Sequence, residues 1–396
     1  MYHIFLKLSG LLESCFNSKG RSMLDRSKIV AELQKVSTDL FVGFAQEIDI
    51  AEQVWRKISI DTEFEQKVKK TKQSLLVPGW SGLLASVTTI KPKKDHYVVV
   101  SVDGSQIYYD KHQGPPCFLI NVGFIQLRYG IAGKSIQYGS QPFLNANFNA
   151  DNDFGSPDFV NMQRESYEFD AALEQVVEIK TQVPEALTVC LFDGSLIFFH
   201  LDAQDMDLKD RFLSYYCGVL EKFYQNKVLI AGYMSLPRTK ELVNLCKLEL
   251  AQFDSQSLEH TSAIDRLTDV DIAGLYLKPY QRSIVFKSKA PISYLYPLHL
   301  QPYFCYLHVG VEIVRLEFPA WIGQSDELVD QVCTVALDQS IKGRGYPVCL
   351  FEAHEQAVVK AVDRDFFYRM IERLSQQRSR NYLISQKSIK KQKPIL

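Results

Sequence analysis

The chain has 396 residues, 46% hydrophobic and 23% charged, which gives enough apolar material for one large domain or two ordinary ones and excludes wholesale disorder. A formal net charge of −1 excludes a protein that binds nucleic acid by bulk charge, so any such function must rest on local basic patches. Eight cysteines are scattered without a C-x-x-C pair, no zinc spacing occurs, and several thiols (Cys190, Cys349) sit in apolar runs as small hydrophobes, which fits a reducing, intracellular setting.

At the N-terminus, Lys7 and Ser9 interrupt the apolar stretch of "MYHIFLKLSGLLESCF" and no small-residue cleavage site follows, so it does not read as a signal peptide. No apolar run approaches the roughly 20 residues of a membrane span. The expected location is the cytoplasm, with no membrane contact. Residues 22–75 place apolar groups at three- and four-residue steps and read as helical. Their lysines 67, 69, 70 and 72 form either a solvated helix face or a phosphate-contacting patch.

From about residue 95 the period changes to that of strands. "HYVVVSVDGSQIYYD", "CFLINVGFIQLRYG" and "KSIQYGSQPFL" read as three strands joined by turns in a meander or hairpin arrangement. Residues 145–160, rich in Asn, Asp and Gly, read as a loop, and a helix over 162–180 stops before Pro184. A strand, "ALTVCLFDGSLIFF", follows, and then a helix over 208–227. "KVLIAGYMSLPRTKELVNLCKLEL" reads as strand, turn and helix, with Pro237 suited to the helix start. Strands return over 283–318, and helices are expected over 325–340 and 349–372. Such an order indicates a mixed α/β core.

Two of these strands run into the same tripeptide, Asp103-Gly104-Ser105 and, ninety positions on, Asp193-Gly194-Ser195. An Asx turn explains one such step. Two of them, each after a long apolar strand, suggest carboxylates brought to one place, and a carboxylate ending a buried strand needs a partner or a cation. Paired carboxylate oxygens suit Mg²⁺ or Mn²⁺. The helix between them offers Glu165, Glu168, Asp170 and Glu174, with Arg164 and Glu168 four residues apart on one face. His354 follows an apolar run at a helix start, where it is either a packed residue or a proton-transfer group. Arg238 and Lys240 follow a strand at the start of a helix, where they are either phosphate contacts beside backbone N–H groups or a surface pair with solvent-screened charges.

The ordered set "VSVDGSQ", "QRESYEFDAALE", "LFDGSLIFF", "AGYMSLPRTKELVNL" and "YPVCLFEAHEQAVVKAVDRDFF" resembles the NurA family of DNA end-processing nucleases, over roughly residues 95–370. The resemblance implies an α/β fold: a ribonuclease-H-like mixed β-sheet core flanked by helices. We expect a helical N-terminal region over 1–90, the nuclease domain over 91–375 and a basic tail over 376–396. It further implies a metal cluster of Asp103, Glu168 and Asp193 holding Mn²⁺ or Mg²⁺, with Glu165 or Glu174 as the alternative helix ligand. His354 would be close by as a catalytic group, and Tyr346, Arg238 and Lys240 would contact nucleic acid. The activity implied is metal-dependent 5′–3′ exonuclease and single-strand endonuclease action on DNA in end resection and double-strand break repair. The partners implied are DNA, a second copy of the chain and a hexameric HerA-type ATPase. A non-catalytic nucleic-acid-binding adaptor of that ATPase on the same fold is the alternative. The near-neutral charge fits a protein whose DNA is held mainly by its partner.

Overall fold

The computed structural model describes residues 24–40, 44–71, 74–91, 95–110, 112, 115–146, 156–254 and 262–377. The N-terminal segment read above against a signal peptide, Cys15, Lys72, most of the 145–160 loop and nearly all of the basic tail lie outside these residues. The chain divides into two units, Met1–Ala45 and Gln46–Leu396. In the first, helix α1 (Arg26–Leu40) exposes Leu33 and Val36.

In the second unit, the helical stretch expected up to residue 75 breaks into α2 (Ala45–Ile58) and α3 (Phe64–Lys70). Of its lysines, Lys67 pairs with Asp61 and Lys69 with Glu65, so both are engaged on a solvated face. The strands are β1 (Val87–Thr89), β2 (Tyr97–Ile107), β3 (Cys117–Tyr129), β4 (Ile136–Ala146), β5 (Leu187–Asp193), β6 (Leu229–Ser235), β7 (Gln281–Ser283), β8 (Phe286–Lys287), β9 (Pro302–His308) and β10 (Ile313–Pro319). All ten belong to one mixed sheet, in the order β1-β7-β9-β10-β6-β5-β2-β3-β4 with β8 paired to β9. Strands β2, β3 and β4 form the expected antiparallel meander, while β2, β5 and β6 run parallel. That core is compatible with a ribonuclease-H-like fold.

The run of valines explains the centre of the sheet. Val98, Val99 and Val100 are fully buried although successive side chains point to opposite faces, so β2 is covered on both sides. On one side the cover is α4 (Pro157–Gln182), against which α5 (Met206–Gln225) packs; after β6 come α6 (Glu241–Leu250) and α7 (Asp269–Gly274). After β10 come α8 (Ala320–Gly323), α9 (Asp326–Lys342), α10 (Val348–Ala357) and α11 (Ala361–Gln377). Helix α4 begins at a Ser156 cap with proline in its first turn and ends before Pro184, as the sequence indicates.

Two expectations are corrected. The helix expected over 349–372 is interrupted at residues 358–360, so His354 lies not at a helix start but in the last turn of α10, the end where the helix dipole favours a cation. Pro237 does not open the helix after β6, which begins at Glu241. Seven cysteines of the described residues are free and buried, as small hydrophobes would be.

Candidate active site

Asp103 does not end its strand, since β2 continues to Ile107. What ends is the parallel pairing: Val102 opposite Phe192 is its last pair, and beyond it β2 stays bonded only to β3, with Asp103 opposite Gly123. Asp103 is therefore the first residue past the seam, and Asp193 is the last of β5. Both therefore stand where the parallel β2–β5 ladder ends, the kind of place where open α/β sheets form their crevices.

Each residue of the first tripeptide has a separate task. Asp103 Oδ1 accepts from the Gly104 amide at 2.8 Å, and Oδ2 lies 2.7 Å from His354 Nδ1. A side chain on Gly104 would force its neighbours to shift, because its Cβ would fall 2.4 Å from Glu168 Oε1 and 2.6 Å from Arg164 Cγ. Ser105 Oγ donates to the Ala357 carbonyl at 2.6 Å, and Asn121 Nδ2 donates to the same oxygen at 2.8 Å. These two bonds fix the end of α10 three residues beyond His354. Gly104 thus faces α4 while Asp103 and Ser105 face α10, so the two helices flank β2 from opposite sides.

In the second tripeptide, Gly194 turns the chain with φ of +119°, and its amide donates to the Tyr233 carbonyl at 3.0 Å. Asp193 is exposed at the strand end. Its carboxyl is nevertheless pushed above the usual range, chiefly by the desolvation that packed neighbours impose and further by the Asp103 charge. A hydrogen bond from the Tyr346 hydroxyl and the nearby His354 oppose that shift. The Tyr346 hydroxyl is pushed well up in turn by its own burial and by Asp193.

Of the helix carboxylates, Glu168 is the one the fold turns towards the strand ends. Burial pushes its carboxyl up to about 8 in the metal-free chain; Arg164 opposes this, and Asp103, Glu165 and Asp193 add to it. Arg164 Nε stands 3.2 Å from Glu168 Oε1, but in a geometry that makes no hydrogen bond, so both buried atoms lack a hydrogen-bond partner among the described residues. Arg164 spends Nη1 on the Gly104 carbonyl at 3.3 Å. Glu165 is turned to His200, 3.2 Å away. Glu174, six residues and therefore about 240° around the helix from Glu168, is exposed away from the site.

Asp103, Glu168, Asp193, His354 and Tyr346 are thus linked through electrostatic contacts, drawn from two strands, the middle of α4, the last turn of α10 and the segment before it. Among the described residues no three His, Cys, Asp or Glu side chains stand close enough to hold an ion as they are. The donor set still fits a hard divalent cation: beyond its burial, the Asp103 and Asp193 charges add to the proton affinity of Glu168, and a buried Glu168 oxygen has no donor. Arg238 and Lys240 are not among these neighbours. Both are exposed, and Lys240 Nζ donates to the Asp265 carbonyl at 2.5 Å. The amides of the first α6 turn are already taken: Glu241, Leu242 and Val243 donate to the buried Asp269 carboxylate at 2.9, 2.6 and 3.1 Å. The phosphate site expected at that helix start is therefore filled by a side chain of the chain itself.

The sequence matches the NurA domain family over residues 97–359, which takes in both tripeptides, α4 and α10. The chain belongs to the NurA family. Among solved structures it is similar to a crystal structure of NurA (11% identity, 86% of this chain and 96% of that one, TM-score 0.42). It is also similar to a NurA with manganese (13% identity, 79% and 96%, TM-score 0.33) and to a NurA bound to dAMP and manganese (11% identity, 83% and 94%, TM-score 0.32). No curated protein matches the chain in sequence.

The raised Glu168 carboxyl has a measurable consequence. Between its ordinary value of 4.5 and about 8 the folded NurA chain holds a proton that the unfolded chain has lost, so folded stability falls as pH rises through that window. The Tm of metal-free protein should decline from pH 5 to pH 8, and Glu168→Gln should flatten that decline; equal slopes in the two proteins would contradict the assignment. Gly104→Ala, which drives a methyl into Glu168, should cost about 1–3 kcal/mol in denaturant unfolding.

Proposed function

We propose that this NurA-family chain is a metal-dependent deoxyribonuclease, in which Asp103, Glu168 and Asp193 hold Mn²⁺ or Mg²⁺ and His354 serves the chemistry. The observation that carries the reading is the buried Glu168 oxygen without a donor, facing two further carboxylates at the ends of β2 and β5. Manganese, the ion named for two of the similar NurA structures, is the ion proposed, with magnesium as its alternative. A bound divalent ion of this kind supplies a hydroxide nucleophile at neutral pH and stabilises charge on the phosphodiester.

The chain's own residues do the rest. Asp103 lies within β2 and Asp193 is the last residue of β5, so the sheet sets where both backbones stand and the turn at Gly194 begins directly after the second. Because a carboxylate only accepts, the Asp103 contact fixes His354 with its proton on Nδ1, leaving Nε2 to take or return a proton at the substrate. The Tyr346 hydroxyl, held beside Asp193, orients that carboxylate and is proposed to meet the nucleic acid. Arg238, exposed after β6, is proposed as a phosphate contact; Lys240 is committed to Asp265.

The family supports the finer reading. We propose 5′–3′ exonuclease and single-strand endonuclease activity in DNA end resection and double-strand break repair, with residues 91–375 as the nuclease domain. We propose cytoplasmic action in a homodimer with a hexameric HerA-type ATPase. No helix among the described residues is long and apolar enough to cross a membrane. Val362, Phe366 and Leu374, at four- and eight-residue steps on α11, are 71%, 61% and 52% exposed, an apolar row that a second copy would cover.

End-labelled linear DNA should be degraded in Mn²⁺ and left intact in EDTA, and Asp103→Asn or Asp193→Asn should abolish cleavage without unfolding the protein. Cleavage in EDTA would contradict the reading. His354→Ala should keep metal and DNA binding and the parent Tm while lowering kcat by about 10²–10⁴-fold; a lowered Tm with an unchanged rate per folded molecule would make it a packing residue.

A further inference from the structure

The second Asp-Gly-Ser step ends on a serine whose partner lies in a different part of the sheet. Ser195 Oγ donates to Glu317 Oε2 at 2.6 Å, and the amides of Leu196 and Ile197 donate to the same oxygen at 2.9 and 3.3 Å. Glu317 lies in β10, opposite Gly232 of β6, and the loop crosses over that position, bringing the Gly194 carbonyl within 2.4 Å of where a Cβ would stand. The carboxylate is wholly buried. Its other oxygen accepts from Arg315 Nε at 2.7 Å, and Arg315, also wholly buried, donates onward to Glu241 at 3.0 Å and to the Tyr306 hydroxyl at 3.3 Å. The guanidinium lies 3.6 Å over the Phe304 ring. Tyr296 closes the far side of the loop, donating to the Leu196 carbonyl at 3.0 Å and accepting from the Phe198 amide at 3.1 Å.

A buried carboxylate held by one arginine is a poor source of net stability, because desolvation offsets the attraction. It is, however, the strongest acceptor available for three donors from three consecutive residues. The loop needs such a hold. Asp193 faces two further carboxylates, and the turn at Gly194 offers a hinge by which that repulsion could be relieved. Fixing residues 195–197 from the core removes that freedom.

We infer that Glu317, carried by Arg315, is a positioning residue that holds Asp193 in the place where a divalent cation needs it. The inference rests on the metal-dependent reading proposed above. Glu317 touches neither substrate nor metal; it acts through Ser195 and the loop amides. Within the chain it is the counterpart of the Ala357 carbonyl, which holds Ser105 beside Asp103.

The test uses the full chain and two variants. Glu317→Gln removes the charge, and Ser195→Ala removes one tether while leaving the carboxylate its arginine and both amides. Hydrogen–deuterium exchange of the metal-free proteins should show faster exchange over residues 193–198 in both variants. Calorimetric titration with Mn²⁺ alone should show binding weakened by about 10–100-fold in Glu317→Gln and less in Ser195→Ala. On labelled DNA, kcat should fall with KM unchanged. Should Glu317→Gln fail to fold because Arg315 is left unpaired, Ser195→Ala decides by the same measurements. Parent-like loop exchange and Mn²⁺ affinity in the folded variants would overturn the inference. Asp193→Asn separates the two readings: if it binds Mn²⁺ as tightly as the parent, the metal assignment itself has failed, and the positioning role falls with it whatever the loop exchange shows.

Discussion

The structure is organised around one unfavourable interaction: carboxylates of like charge brought together at the ends of β2 and β5, with a third from α4. Left alone, carboxylates of like charge separate or take up protons. Much of what surrounds them prevents the first. The parallel register stops one residue short of Asp103, the missing side chain of Gly104 admits Glu168 and Arg164, and Ser105 with Asn121 pins the helix that carries His354. A divalent cation would relieve the repulsion that remains, which is the physical ground for the metal site proposed above.

The two tripeptides therefore have one grammar. In each, the aspartate supplies charge and the glycine permits a local geometry that a side chain would forbid. The serine ties the turn to a distant element, the last turn of α10 in one case and β10 in the other. Sequence spacing relates the tripeptides to each other, but their anchors lie 252 and 122 residues away along the chain, and only the sheet order brings them close.

This also explains which parts could be read beforehand. Asp103 and Asp193 stand out because a continuous apolar run meeting a charged turn is a local pattern, and the meander and the helix before Pro184 are legible from equally local patterns. Glu168 could not be separated from Glu165 and Glu174 by composition, since all three lie on one amphipathic helix; the rotation that turns Glu174 to solvent and Glu165 to His200 is a tertiary fact. His354 was found through the family motif, but its contact with Asp103 spans 251 residues and has no local signal. The helix start beside Lys240 looks open in sequence, whereas Asp269 from a later helix accepts from its first amides. Glu317 and Arg315 left no trace in the reading, because a charged pair inside a strand resembles the polar face of an exposed one.

The most direct measurement is an anomalous difference map from crystals of this protein grown with Mn²⁺. The account predicts a peak at the carboxyl ends of β2 and β5, with oxygens of Asp103, Asp193 and Glu168 within bonding distance of it. Mn²⁺ bound elsewhere, or bound there while Glu168 stays on Arg164 and away from the ion, would contradict it.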